Sequence, residues 1–258
     1  MPTPSSLDVP GTGDARTPIS LTVILLGPPG CGKGTQAREL ARMFGLVHIS
    51  SGDLLRSVMD EDSEFGRSTR STMEEGKLVS DDVICRMARE CIGKADIDRG
   101  LVLDGLPRTL EQAAFLCNLL NGSKIVGINL HVAEDVLVRR VLGRMSCARC
   151  GEIYNLFFRR PLLDGLCDLC EGTLKRRSDD DEPVLRERLK IYSMQLLPVI
   201  EYFRQLKLLK EVSADTDVPH LTAAIHNAIV SAIENCGPSH TSPGVARNTM
   251  SLDTNPCC

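Results

Sequence analysis

The stretch LTVILLGPPGCGKGT, residues 21–35, decides the fold of this chain. Its apolar first half predicts a buried strand over 21–27, and the amphipathic segment after it predicts a helix over 33–44. The glycine-rich middle matches the pattern G-x-x-x-x-G-K-[ST], with one additional glycine after Lys33. Such a loop between a strand and a helix cradles phosphates with its backbone N–H groups, so it predicts nucleotide binding. The alternative is a plain glycine-rich turn, which the combination of strand, spacing and lysine disfavours.

Outward from this stretch, short apolar segments alternate with amphipathic ones, as is typical of a parallel sheet covered by helices. The other predicted strands are 46–50, 100–104, 124–130 and 207–213. The other predicted helices are 53–59, 64–75, 81–92, 109–120, 133–143, 183–205 and 218–235. We therefore predict an α/β fold with a five-stranded parallel sheet flanked by helices. Ser80 has the hydroxyl needed to cap the helix that follows it.

Length and composition limit the class of protein further. The chain has 258 residues, 42% of them hydrophobic, and a net charge of −4, which favours one main globular domain and disfavours a sequence-independent nucleic-acid binder. No segment approaches the ~18 apolar residues that span a bilayer. Residues 1–20 and 237–258 are rich in Pro, Ser, Thr and Gly, so we expect disordered tails around a domain at 21–236. We expect a cytoplasmic monomer, because the first tail has no signal-peptide core and no coiled-coil pattern occurs.

Two segments carry residues suited to a second phosphate-bearing ligand. In SSGDLLR, residues 50–56, Arg56 lies one turn into a helix, where its guanidinium can bind a phosphate with two hydrogen bonds. In DGLPR, residues 104–108, Asp104 follows a buried strand at the sheet edge where α/β proteins bind ligands. There Asp104 can hold a Mg²⁺-bound water and Arg108 can reach a phosphate. Taken alone, Arg56 is more often a solvated surface residue, and the Asp, Gly and Pro of residues 104–107 are also typical of a turn that ends a strand.

The chain resembles the adenylate kinases over residues 21–236. The motifs that carry this resemblance are GPPGCGKGTQ (27–36), SSGDLLR (50–56), EGKLV (75–79), DGLPRTLEQA (104–113), GR (143–144), RSDD (177–180) and RERLKIY (186–192). The resemblance implies a P-loop nucleoside monophosphate kinase that transfers the γ-phosphoryl group from Mg-ATP to AMP, giving two ADP. It also implies an AMP-binding segment at 50–79 and a mobile lid at 143–180.

The resemblance further implies roles for individual residues. We expect the ATP site to contain Gly30, Cys31, Gly32, Lys33, Gly34, Thr35, Arg140, Arg144, Ile153, Tyr154 and Thr216. We expect the AMP site to contain Ser51, Arg56, Lys77, Leu78, Val79, Gly105, Leu106, Pro107, Arg108, Gln112, Arg177 and Arg188. The expected catalytic residues are Lys33, Asp104, Arg108, Arg144, Arg177 and Arg188. We expect Asp179 and Asp180 to orient metal-bound waters or to lock the closed lid.

Three residues of the AMP site have particular expectations. Gln112 is expected to read the adenine edge, because an amide both donates and accepts hydrogen bonds. Leu106 stands where the family usually has Phe, and Ser51 stands where Thr is common. We expect Leu106 to remove an aromatic ring from the wall of the AMP pocket.

Four of the 11 cysteines predict a metal site. Cys147-x2-Cys150 and Cys167-x2-Cys170 have the spacing of a tetrahedral zinc site with four thiolate ligands. A closed set of four ligands indicates a structural zinc, which can stabilise a small segment that has little apolar core. Disulfides are the alternative, disfavoured in a reducing cytosol. Cys91 and Cys117 lie on apolar helical faces and are expected in the core.

Two other functions remain open from the sequence. One is a kinase for another nucleoside monophosphate, or one that uses GTP as the donor. The other is a zinc-containing module that senses nucleotides through a degenerate P-loop without catalysis. Intact Lys33, Arg108 and Arg188 argue against degeneracy.

Overall fold

The computed structural model describes residues 21–234, which form a central parallel sheet covered by helices. The two tails predicted to be disordered, 1–20 and 237–258, lie outside the described residues. The strands are β1 Leu21–Leu26, β2 Val47–Ser50, β3 Leu101–Asp104, β4 Lys124–His131, β5 Arg144–Cys147, β6 Ile153–Asn155, β7 Leu174–Lys175 and β8 Leu209–Ser213. The central sheet has the order β2-β3-β1-β4-β8 with every neighbouring pair parallel, which confirms the predicted five-stranded sheet.

Within residues 21–234, eight α-helices connect and cover these strands. They are α1 Lys33–Phe44, α2 Ser51–Met59, α3 Glu64–Glu74, α4 Asp81–Lys94, α5 Leu110–Leu119, α6 Glu134–Leu142, α7 Glu182–Gln205 and α8 Val218–Glu234. Each predicted helix has a counterpart whose ends differ by at most two residues. Among the described residues, no helix combines the length and the apolarity needed to cross a membrane.

The core consists of two apolar clusters, one on each face of the central sheet. Successive side chains of a strand point to opposite faces, and β1 divides accordingly. Ile24 and Leu26 join the cluster that includes Phe203, while Val23 and Leu25 join the cluster beneath α1 and α8. Because β1 is the middle strand, the loop that follows it emerges at the centre of the carboxyl edge of the sheet, where such folds bind ligands.

Two smaller predictions concern cysteines of α4 and α5 and the N-terminal cap of α4. Cys91 packs against the first cluster, as does Cys117 of α5, which confirms their place in the core. Ser80 lies at the N-terminal cap of α4, but its side chain accepts no hydrogen bond from that helix, contrary to the prediction. The carboxylates of Asp81 and Asp82 supply the favourable charge at this helix N-terminus instead.

A second, small sheet lies between α6 and α7. Its strands β5, β6 and β7 are antiparallel, in the order β6-β5-β7. Its apolar cluster consists only of Cys147, Tyr154, Cys167 and Leu174, with Met145 and Cys170 at its border. This confirms an inserted subdomain with little core of its own. We call residues 143–180, which contain it, the lid segment.

Replacing Phe203 by Ala should lower the free energy of unfolding by about 3–5 kcal/mol, because the ring is fully buried beneath the sheet. Urea unfolding would measure the loss. The control is Leu197→Ala on the same helix, where the side chain is 58% exposed and the change should stay within about 0.5 kcal/mol. Equal effects of the two substitutions would contradict the assignment of the core.

Candidate functional site

The loop between β1 and α1 forms a phosphate cradle. Gly32, the N-terminal cap of α1, has a left-handed backbone with φ of 101° and offers no capping side chain. The first N–H groups of α1 therefore remain available to an anion, and the positive end of the helix dipole favours one there. The Lys33 ammonium folds back over the loop and donates hydrogen bonds to the carbonyl oxygens of Gly27, at 2.7 Å, and Pro28, at 2.8 Å.

Gly34 is the point where the core and the lid segment meet the loop. A Cβ atom at this position would lie 3.2 Å from Asp104 Oδ2 and 3.3 Å from Ile153 Cδ1. The carboxylate at the end of β3 thus faces the phosphate loop from one side, and β6 of the lid segment covers it from another. The absence of a side chain at this position allows both approaches.

One cavity of about 600 Å³ extends from this loop across the carboxyl edge of the sheet. It is lined by residues of α1, α2, β3, α5, α7 and the lid segment. Of the residues predicted for the site, those that line it are Gly30 to Thr35, Ser51, Arg56, Lys77, Leu78, Val79, Asp104, Gly105, Pro107, Arg108, Gln112, Arg140, Arg144, Ile153, Tyr154, Arg177, Arg188 and Thr216. The structure therefore brings together residues as far apart in the chain as Gly30 and Thr216.

Eight arginines of the part of the chain that the structure describes line the cavity, and five of them lie close enough to affect one another's charge. These five are Arg56, Arg108, Arg144, Arg177 and Arg188. Burial and the neighbouring Arg188 lower the pKa of Arg108 to about 10. Burial and the guanidinium groups of Arg144 and Arg56 lower the pKa of Arg177 to about 9. The positive charges thus destabilise one another while the cavity holds no anion, and bound phosphates would relieve that repulsion.

Two consecutive carboxylates hold two of these arginines. Asp180, fully buried, accepts a hydrogen bond of 2.7 Å from Arg144 Nε and a second one from Arg144 Nη2. Asp179 accepts from Arg188 Nη1 at 2.6 Å. Although burial opposes its charge, the nearby guanidinium groups of Arg188 and Arg144 lower the pKa of Asp179. Asp179 lines the cavity and Asp180 does not. Through its bonds to Arg144, Asp180 instead connects β5 to the start of α7.

One end of the cavity is built from α6 and the segment after β8. Arg140 Nη2 donates hydrogen bonds to the carbonyl oxygens of Ala214, at 2.9 Å, and Thr216, at 3.2 Å. Arg140 is therefore fixed by the backbone next to Thr216, and both line the cavity. Tyr154 lines the same end, but its hydroxyl points into the lid segment, 3.6 Å from Cys167 Sγ.

The other end lies between α2 and α5. Ser51 Oγ donates a hydrogen bond of 2.8 Å to the carbonyl oxygen of Gly105, which joins the two segments predicted to bind AMP. Arg56 is held by a 2.6 Å hydrogen bond to Asp53 Oδ1. Lys77 is exposed at the rim and pairs with Glu75 at 2.7 Å.

Leu106 departs from the expectation. It does not line the cavity; its side chain is 2% exposed and packs against Leu54, Ile84 and Met87 behind the wall. The backbone alternates direction along β3 and the turn after it, so Gly105 and Pro107 face the cavity while Leu106 faces the core. Leu106 therefore affects the support of the pocket rather than its surface.

Gln112 combines burial with a defined orientation. Its side chain is 2% exposed at the wall of the cavity. The amide Nε2 donates to Asp81 Oδ1 at 2.7 Å, and Oε1 accepts from the Arg108 backbone N–H at 2.8 Å.

Several lining residues were missed by the motifs. Tyr192 and Gln195 follow Arg188 on α7 at helical spacing and face the cavity with it. Arg38 lies one turn into α1 beyond the phosphate loop. Helical periodicity from Arg188 could have identified the first two, because residues four and seven positions apart share a face. Arg159, which stacks over the Tyr154 ring at 5.0 Å, comes from a loop without a periodic signal.

The four predicted metal ligands form a cluster within the lid segment. The sulfur atoms of Cys147, Cys150, Cys167 and Cys170 all lie within 4.8 Å of one another. Cys147 Sγ is 3.5 Å from Cys170 Sγ, and Cys150 Sγ is 3.6 Å from Cys167 Sγ. All four thiols are free, so the disulfide alternative is wrong. The distances match the roughly 3.8 Å edge of a tetrahedron with Zn–S bonds of about 2.3 Å.

The surroundings favour the thiolate form at two of these sulfur atoms, those of Cys147 and Cys167, whereas burial raises the pKa of the Cys150 thiol to about 12. Backbone N–H groups of Arg149, at 3.3 Å, and Cys150, at 3.5 Å, donate to Cys147 Sγ. Although burial opposes its charge, hydrogen bonds from the Tyr154 hydroxyl and from backbone N–H groups lower the pKa of Cys167 to about 6. Hydrogen-bonded thiolates of this kind are suitable ligands for zinc.

Known proteins resemble this chain over most of its length. A family model described as adenylate kinase matches residues 25–208. An adenylate kinase of Thermosipho melanesiensis is 41% identical over 212 residues, which cover 81% of this chain and 99% of that protein. An adenylate kinase of Magnetococcus marinus is 43% identical over 195 residues, covering 74% and 92%. An adenylate kinase of Archaeoglobus fulgidus is 38% identical over 201 residues, covering 77% and 93%. With the phosphate loop, the arginine cluster and this likeness together, the chain belongs to the adenylate kinase family.

Proposed function

We propose that the chain reversibly transfers the terminal phosphoryl group of Mg-ATP to AMP, giving two ADP, and so maintains the balance of adenine nucleotides. The observation that carries the proposal is the convergence of Lys33 and five arginines on one cavity, between the phosphate loop and the amide of Gln112. That arrangement can hold two nucleotides with their phosphates facing each other.

The charges of the cavity suit phosphoryl transfer. ATP and AMP together bring about six negative charges, and catalysis of this transfer consists largely of positioning and neutralising them. Lys33 and the α1 N-terminus would bind the donor phosphates, Arg56 and Arg108 the acceptor phosphate, and Arg177 the transferred group between them. A bound Mg²⁺ would neutralise part of the donor charge, and Asp104, which faces the loop at Gly34, would hold its waters.

The lid segment would exclude water from the transferred group. Ile153 already lies against the phosphate loop, and Asp180 holds Arg144 to the start of α7. With water excluded, AMP rather than hydroxide would accept the phosphoryl group. We further propose that the protein acts as a monomer in the cytoplasm.

We also propose one structural zinc ion per chain, bound by Cys147, Cys150, Cys167 and Cys170. The sulfur separations and the N–H donors around Cys147 fit such an ion. Four protein ligands would leave no open position for catalysis, so its contribution would be the folding energy that the small apolar cluster of the lid segment cannot supply.

Purified protein with ATP, Mg²⁺ and AMP should form ADP in a coupled assay, faster than with CMP, UMP or GMP as acceptor or with GTP as donor. Lys33→Ala should reduce turnover by about 100-fold or more, because it removes a charge next to the transferred group. Lys190→Ala, on the exposed face of α7, is the matched control and should change little. Absence of ADP formation would refute the proposal and favour a nucleotide-sensing module, and full turnover by Lys33→Ala would contradict the role assigned to Lys33.

Arg177→Met should reduce phosphoryl transfer by about 100-fold or more. In the absence of nucleotide, the free energy of unfolding of this variant should be at most about 1 kcal/mol below that of the original protein, and can exceed it. The substitution removes the repulsion from Arg144 and Arg56 at the cost of one hydrogen bond to Ser146. Activity assays and urea unfolding without nucleotide measure the two effects. Arg186→Met, whose side chain is 67% exposed, should leave both nearly unchanged. Strong destabilisation with retained activity would contradict the assigned role.

Metal analysis of reductant-treated protein should find one zinc per chain. Cys147→Ser should lower that content and make the lid segment more sensitive to proteolysis, because three ligands bind zinc more weakly than four. Cys91→Ser, which changes a core cysteine of α4, should keep the full zinc content. Protein that lacks zinc yet keeps a protease-resistant lid segment would refute the structural metal.

A further inference from the structure

Asp81 links the start of α4 to the first turn of α5. Thr109 Oγ1 donates a 2.6 Å hydrogen bond to Asp81 Oδ2, and Gln112 Nε2 donates one of 2.7 Å to Asp81 Oδ1. Thr109 also caps α5, where its oxygen accepts from the Gln112 backbone N–H at 3.2 Å. Both carboxylate oxygens thus bind groups that place Gln112.

These contacts leave the Gln112 amide one favourable orientation. An ionised carboxylate only accepts hydrogen bonds and a backbone N–H only donates them. Therefore the NH₂ group must face Asp81, and the oxygen must face the Arg108 backbone N–H, which lies 2.8 Å away. A flipped amide would set oxygen against carboxylate and NH₂ against N–H, and would lose both bonds in a buried place.

The fixed amide still has unused hydrogen-bonding capacity. One of its two N–H bonds goes to Asp81 and one of the two acceptor positions of its oxygen goes to Arg108. One donor and one acceptor remain on a side chain that lines the cavity. Because the flip is blocked, the relative positions of that donor and acceptor are fixed as well.

We propose that Asp81 is a positioning residue that makes the acceptor site prefer a base with an exocyclic amino group over one with a keto group. This inference rests on the proposed function, in which AMP binds beside Gln112. The adenine amino group would donate to Gln112 Oε1, and adenine N1 would accept from Nε2. Hypoxanthine has a keto oxygen and an N1–H at these two places, so both contacts would be mismatched against the fixed amide.

The test is the substitution Asp81→Asn, with AMP and inosine monophosphate as the compared acceptors. An asparagine amide can either accept from Gln112 or donate to it, so a flip of Gln112 towards the keto base would then lose only the bond to the Arg108 N–H instead of both bonds. The ratio of affinities for AMP and inosine monophosphate, measured by calorimetry, should fall about tenfold, as should the ratio of kcat/KM. A purely structural role would weaken both ligands alike and leave the ratio unchanged.

Two further variants complete the design. Asp82→Asn removes the same charge from the same helix turn, but Asp82 is exposed and does not contact Gln112, so the ratio should stay unchanged. Gln112→Ala should lower the ratio by itself, and adding Asp81→Asn to it should lower the ratio no further, because Asp81 acts through Gln112. Should Asp81→Asn fail to fold, Thr109→Val, which removes one partner of Asp81, should give a smaller shift in the same direction.

The inference is overturned if the ratio of affinities for AMP and inosine monophosphate in Asp81→Asn stays within twofold of the ratio in the original protein. This holds whether or not Gln112→Ala lowers that ratio. An additive effect of the two substitutions would overturn it as well. The proposed function fails differently: the protein would bind AMP but form no ADP. The binding ratios would still decide the role of Asp81 in that case.

Discussion

The crowding of positive charge in one cavity is the constraint on which the rest of the structure depends. Five guanidinium groups that affect one another's charge lie at the carboxyl edge of the sheet with the Lys33 ammonium, and burial and neighbouring arginines lower the pKa values of three of them. Such an arrangement is unfavourable in the free protein. The scaffold must therefore hold the groups in place without neutralising all of the charge meant for the ligand.

The described contacts show how this is done. Arg140 is held by backbone carbonyl oxygens, and Arg144 by the buried Asp180 outside the cavity. Asp53, which holds Arg56, and Asp179, which holds Arg188, line the cavity together with these arginines. The protein thus holds these guanidinium groups by some of their N–H groups while they line the cavity where a ligand would bind, in keeping with catalysis by positioning.

Local patterns predicted most of this molecule from its sequence. The strand and helix periods, the spacing around Lys33 and the cysteine spacing each depend on neighbouring residues, and the sheet, the phosphate loop and the sulfur cluster follow them. The direction of Leu106 was not predictable, because a turn after a strand decides which side chain faces the core. The contact of Asp81 with Gln112 spans 31 positions and depends on how two helices pack, which no motif describes.

The position of the basic groups also affects how nucleotides reach the site. The chain has 30 basic and 34 acidic residues, and at least six of the basic ones face the cavity. Its remaining surface is therefore more acidic than the net charge of −4 indicates. At long range, that exterior repels the polyanionic nucleotides, and attraction begins only at the mouth of the cavity. Salt screens the long-range repulsion of the exterior more strongly than the short-range attraction inside, so moderate ionic strength favours capture of the substrates.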